Sequence, residues 1–202
     1  MHTVSRKQRS WNIVLVMLLV TIGMLCCGRC GFWKPRAPQR PFTLKDLLLD
    51  QDAMPSAWED TWGPFLPAGH DLCTTECSAV QFGVAAQDLP IRAEQDVYRY
   101  LSTDIAQRIF EEVYLPQRKH LSSISDWTYQ SLIANRQYFG CYDVEGRDTL
   151  ICEWAGQYEE YIVVLWCRMI SGEMSLADME RAVRAIDARM EHYLNEPTGE
   201  GN

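Results

Sequence analysis

Chemical signatures are scarce in this chain. Its 202 residues include four histidines, and G-x-S-x-G, H-E-x-x-H, the phosphate-binding P-loop and G-x-G-x-x-G are all absent. The usual marks of serine hydrolases, zinc peptidases and nucleotide-binding folds are therefore missing, and neither a catalytic residue nor a cofactor is assigned. Long low-complexity tracts are also lacking, and 47% hydrophobic with 23% charged residues excludes a collagen-like or wholly disordered chain. Acidic residues are missing from one region only. Residues 1–40 hold seven Lys/Arg and no Asp/Glu, whereas residues 41–202 hold 12 Lys/Arg against 27 Asp/Glu, a formal charge of −15. A body so acidic repels nucleic acid, which removes that class of partner.

Residues 11–27, WNIVLVMLLVTIGMLCC, run without a charge. At about 1.5 Å per residue they come close to the minimum for crossing a hydrocarbon core of about 30 Å. A cleaved signal peptide is the rival reading, since Arg6, Lys7 and Arg9 form a basic n-region. No A-x-A-like site follows, and Arg29 stands where small residues are wanted, so an uncleaved anchor is favoured. Cys26, Cys27 and Cys30 lack the small residues that precede a lipidated bacterial cysteine, although juxtamembrane palmitoylation is compatible with their place. Three basic residues precede the span and four follow it, so the positive-inside rule barely discriminates. Five cysteines in the body and a short basic N-terminus place the C-terminal domain outside the cytoplasm of a single-pass cell-membrane protein.

The expected organisation is a basic N-terminus (1–10), an anchor (11–27), a Pro/Arg-rich stalk (28–42), a globular domain (43–195) and a flexible tail (196–202). KPRAPQRP at residues 34–41 reads as an extended spacer. Thr43-x-x-Asp46 has capping-box spacing ahead of Leu47, Leu48 and Leu49, which predicts a short helix docking by its leucines. Residues 52–72, broken by Pro55, Gly63, Pro64 and Pro67, read as irregular chain pinned by Trp58 and Trp62. Val80, Phe82 and Val84 alternate with smaller or polar residues, the period of a strand. From about residue 93 to 115, Val97, Leu101, Ile105, Ile109 and Val113 recur every fourth residue, which predicts a helix ended by Pro116. A single helical turn is expected around residues 129–133.

Residues 137–144, 148–154 and 160–170 read as three strands, joined by Glu145-Gly-Arg-Asp148 and by Ala155-Gly-Gln-Tyr158. With Gly146 and Arg147 central to a turn, Phe139 pairs with Trp154 and Cys141 with Cys152. The last strand is apolar on both faces and belongs inside a covered sheet. Leu176, Met179, Val183, Ile186, Met190 and Tyr193 define a final helix capped by Ser175 and Asp178, with core packing as the reading of its stripe. The fold class is α+β, an antiparallel sheet covered by helices and preceded by one transmembrane helix.

This order of elements, opened by Asp46-Leu-Leu-Leu-Asp-Gln-Asp-Ala-Met-Pro55-x-x-Trp58, resembles small exported bacterial domains of the kind seen in mycobacterial lipoproteins and photosystem PsbP relatives. The resemblance covers residues 43–194 and departs from the lipoprotein members in lacking a lipobox. It implies helices packed on a sheet and a non-enzymatic role in binding lipids, small apolar ligands or a membrane complex. It carries over no functional residues.

His70, Cys73 and Cys77, with Asp71 beside them, are the one cluster of soft donors in the body. A structural zinc wants about four such ligands, usually as two close-spaced pairs, and only one pair is present, so a Cys73–Cys77 disulfide is preferred to a metal. Cys141 with Cys152 is the other expected bridge, which leaves Cys167 as a buried thiol. Glu153, Glu159 and Glu160 could supply a carboxylate pair, but acidic turn residues are ordinarily solvated. Trp154, Trp166, Tyr142, Tyr158 and Tyr161 read as core, with an apolar ligand groove as the alternative. The functional expectation is a membrane-anchored binding or assembly module, not an enzyme, whose partner is another membrane protein or a small apolar ligand; the alternatives are an accessory subunit of a membrane complex and an enzyme whose site has no recognisable motif.

Overall fold

In the structure, a computed structural model, residues 37–67, 72–84, 91–124, 126–144 and 149–195 are described. The expected anchor, His70, the Gly146-Arg147 turn and the tail 196–202 lie outside them. Among the described residues no helix is long and apolar enough to cross a membrane.

The domain is α+β. Six strands, β1 (Asp60–Phe65), β2 (Glu76–Gly83), β3 (Ile91–Arg99), β4 (Arg136–Asp143), β5 (Leu150–Tyr158) and β6 (Tyr161–Met169), form one antiparallel sheet in the order β1-β2-β3-β6-β5-β4. Two three-stranded meanders thus join through β3 and β6. Helix α1 (Thr103–Ile109) runs through a π turn (Phe110–Tyr114) into a last short turn, α2 (Leu115–Gln117), and α3 (Leu176–Leu194) closes the domain.

Alternation along β6 explains the layering. Tyr161, Val163, Leu165 and Cys167 pack with Met179, Val183, Ile186 and Met190 of α3, whereas Ile162 and Val164 pack with Ala106, Phe110 and Tyr114 on the opposite face. A strand apolar on both faces is the one covered on both. Leu47, Leu48 and Leu49 enter the α3 side from a 3₁₀ turn (Leu44–Leu47) that opens with the expected Thr43/Asp46 capping box. Ser175 and Asp178 cap α3 in the same reciprocal way.

Four expectations are corrected. The helix read over residues 93–115 is strand β3 up to Arg99, followed after Ser102 by helix from Thr103. Buried polar residues on β3, among them Glu94, Gln95 and Asp96, hide its two-residue period, while Val97 happens to continue the four-residue spacing of the true helix. Residues 60–65, read as irregular, form β1; Pro64 is tolerated because it sits on an edge strand at a break in register. Residues 129–133 are not helical: Ser131 Oγ accepts from the backbone N–H of Ile133 and of Ala134, and this local turn competes with a helix. Finally, the second hairpin turns at Glu159-Glu160 rather than at residues 155–158, with Glu159 at φ 46°. Gly156 serves close packing instead of a turn, since a Cβ there would meet the Trp154 ring at 2.6 Å and the Tyr158 ring at 2.8 Å.

Candidate functional site

Two segments distant in sequence build an open groove beside the edge of the sheet. Residues 37–42, which the sequence places in the stalk, are docked on the domain. Phe42 is buried, with its ring 6.1 Å from Tyr161 and 5.2 Å from Tyr193. Arg40 donates from Nε to Glu160 Oε1 at 2.9 Å and from Nη2 to Glu160 Oε2 at 2.7 Å, a bidentate pair, and also reaches Glu159. Glu160 is only 1% exposed, and its bonds hold the Arg40 guanidinium protonated well above its usual range. Arg99 completes the clasp, lying 3.7 Å from Glu160 and donating to the carbonyl of Pro38. An arginine in a proline-rich spacer has no sequence signal for docking, because its partner lies 120 residues away.

Phe42, Leu44, Leu66, Arg99, Tyr161 and the Cys73–Cys77 disulfide line this groove, whose volume is about 580 Å³. Leu66 lies 66% exposed against this cleft. Lys45 and Glu76 stand at the same opening, and Glu76 pairs with Arg99 at 3.2 Å. The guanidinium of Arg99 is shared among Glu76, Glu160 and the carbonyl of Pro38, and its buried Nε has no hydrogen-bond partner. Such a cleft suits a guest with an apolar body and a polar or anionic end.

A second groove, about 560 Å³, runs between α3 and residues 128–133. Its base is Asp187, whose oxygens accept from the hydroxyls of Tyr129, Ser131 and Tyr158. Burial, then the bond to Asp187, pushes the Tyr129 hydroxyl up to about 12, so it remains a donor. Leu132 stands almost fully exposed beside it, at 97%.

The residues singled out from the sequence fall into separate places. Cys73 and Cys77 are joined in a disulfide with their Cα atoms 5.6 Å apart, so neither sulfur is a thiolate for a metal, and their companion His70 lies outside the described residues. No group of three or more His, Cys, Asp or Glu placed to hold a metal occurs among the described residues. Cys141 and Cys152 are likewise bonded, with Cα atoms 4.1 Å apart, at the register expected from the hairpin. Glu153 faces the α1 side, where Tyr114 and Arg118 donate to it, whereas Glu159 and Glu160 share Arg40. Trp154, Tyr158 and Tyr161 are core; Trp166 is half-buried and Tyr142 exposed.

A polar interior was invisible in the sequence. Glu94 and Asp96 sit side by side on the α1 face of β3, both buried; Gln81 donates to Glu94, and Tyr98 donates to Asp96 Oδ2 at 3.0 Å. Asp96 Oδ1 has no donor from another residue. Burial, reinforced by the neighbouring Glu94, raises the Asp96 carboxyl to about 8. No protein-family model matches the chain, and no curated protein matches it.

Proposed function

We propose that this chain is a membrane-anchored, extracytoplasmic binding or assembly module, acting by holding a small apolar ligand or an apolar part of another membrane protein rather than by catalysis. The groove beside the docked segment is the binding face. The observation that carries this reading is Leu66, exposed at the mouth of a cleft whose walls combine Phe42, Leu44 and Tyr161 with the cationic Arg99. Residues 11–27 supply the anchor, and ten residues separate them from Pro38, whose carbonyl accepts from Arg99. A linker this short raises the local concentration at a neighbouring membrane component to about millimolar, so a weak contact suffices. Two disulfides in the domain are compatible with an oxidising compartment.

The test uses the full chain in detergent micelles and the anionic amphiphile 1-anilinonaphthalene-8-sulfonate as probe. Saturable binding with one site is expected, weakened about tenfold or more by Leu66→Asp and retained by Leu132→Asp at the other groove. Equal weakening by both substitutions, or by neither, contradicts the assignment.

A further inference from the structure

Three cysteines stand in one row across the sheet. Cys141 on β4 pairs in register with Cys152 on β5, and Cys152 pairs in register with Cys167 on β6; all three are at most 2% exposed, on the α3 face. Cys141 and Cys152 are bonded and Cys167 is a free thiol. Cys152 therefore has a sulfur neighbour on either side.

The backbone phase distinguishes the two sides. Cys141 N–H donates to Ser122 O at 2.9 Å and its carbonyl accepts from Ser122 N–H at 2.8 Å, so both its main-chain groups turn away from β5. The Cys141–Cys152 position is thus non-hydrogen-bonded, the kind at which paired Cα atoms come closest, and they are 4.1 Å apart. Val144 N–H bonding Thr149 O, three residues on, sets the same phase. Because one residue's N–H and C=O point to the same side of a strand, Cys152 turns towards Cys167 and makes a hydrogen-bonded pair. Such pairs have Cα atoms about 5.5 Å apart, within the span a disulfide bridges.

We infer that Cys141, Cys152 and Cys167 form an internal thiol–disulfide exchange site, in which Cys167 is the alternative partner of Cys152 and its attack releases Cys141 as a free thiol on the edge strand. The Cys167 thiolate attacks Cys152 Sγ. The Cys152–Cys167 bond forms as Cys141–Cys152 breaks, and Cys141 leaves as the thiolate that takes up the proton Cys167 gave. No electron is gained or lost, so no outside oxidant or reductant is required. In the closed fold complete burial raises the Cys167 thiol far above the usual range and keeps it protonated, so exchange waits on an opening that admits water. β4 is the element placed to open: it is an edge strand, with the Ser122–Cys141 bridge on its outer side.

The test uses the full chain carrying Cys26→Ser, Cys27→Ser and Cys30→Ser, so that Cys167 is the only thiol. Trypsin cuts after Arg136, Arg147 and Arg168, which puts Cys141 alone on peptide 137–147 and both Cys152 and Cys167 on peptide 148–168. The protein is held in mildly alkaline, subdenaturing urea without added thiol, quenched in acid, unfolded and alkylated. The linked pair of peptides should diminish with time, replaced by peptide 137–147 labelled at Cys141 and an internally closed peptide 148–168. Adding Cys167→Ser must abolish the change. In a Cys141→Ser chain treated with glutathione disulfide, which takes up the two electrons as two glutathione thiols, an internal Cys152–Cys167 bridge and no alkylatable thiol are expected. Label that stays on Cys167, label appearing on Cys73 or Cys77, or release of Cys141 in the Cys167→Ser chain would overturn the inference.

Discussion

Asp96 shows how one side chain ties burial to pH. Its carboxyl titrates at about 8 in the fold and at about 3.9 in an unfolded chain, so between these values the folded state holds a proton that the unfolded state has released. The stability contributed by that proton is complete below about pH 4 and is lost as pH rises to about 8, at up to about 1.4 kcal/mol per pH unit. Asp96→Asn has the same shape and no charge to desolvate, and its amide donates to Glu94. Urea midpoints measured from acid to mildly alkaline pH should fall with pH in the native chain more steeply than in the variant, which should be the more stable at pH 8. Parallel profiles would mean that Asp96 is not the group responsible. Gly156 is a second single-residue test. A methyl there must displace the Trp154 and Tyr158 rings, both fully buried, so Gly156→Ala should cost about 1 to 3 kcal/mol by chemical denaturation. An unchanged midpoint would show that the rings can give way.

Between elements, the tie with most leverage joins residues 37–42 to the β5–β6 turn. Replacing Glu160 by Gln leaves Arg40 and Arg99 beside an uncharged group in a nearly closed site, and removing one partner of a buried pair costs about 3 to 5 kcal/mol. Because Arg40 keeps some exposure, a loss towards the lower end is expected, together with faster chymotryptic cleavage after Phe42, which the clasp keeps buried. Wild-type cleavage rates would show that the clasp is passive. The same tie marks where the sequence stops being informative. The β4–β5 register, the disulfide within it and the capped α3 were legible because turn length, strand alternation and capping spacing are local. Arg40 and Glu160, Glu94 and Asp96, and the Leu66 groove depend on chain segments that meet only in the fold. The misreading of β3 as helix has the same origin, since its polar residues are buried by partners on β2 and by the distant 3₁₀ turn of residues 44–47: Gln95 receives the Leu49 N–H at 2.6 Å and donates to the carbonyl of Leu47 at 3.1 Å.

For the whole molecule, the separation of charge is the governing feature. A basic first segment precedes an acidic body, and the body's folded unit begins before the stalk is finished, at residues clasped by Glu160. If the body lies outside the cytoplasm, protease added to intact cells should degrade residues 42–202, and protection of that fragment would reverse the topology and remove the compartment in which its disulfides form. The groove beside Phe42 and Leu66 is proposed as the place where the domain meets its ligand or partner. Photo-crosslinking tests it most directly: p-benzoylphenylalanine is placed at position 66, or at position 132 as control, in the full chain in intact cells. A discrete, light-dependent adduct in the membrane fraction from position 66, and none of the same mass from position 132, is the result predicted. The same adduct from both positions, or none from position 66 while the protein is folded in the membrane, would contradict it.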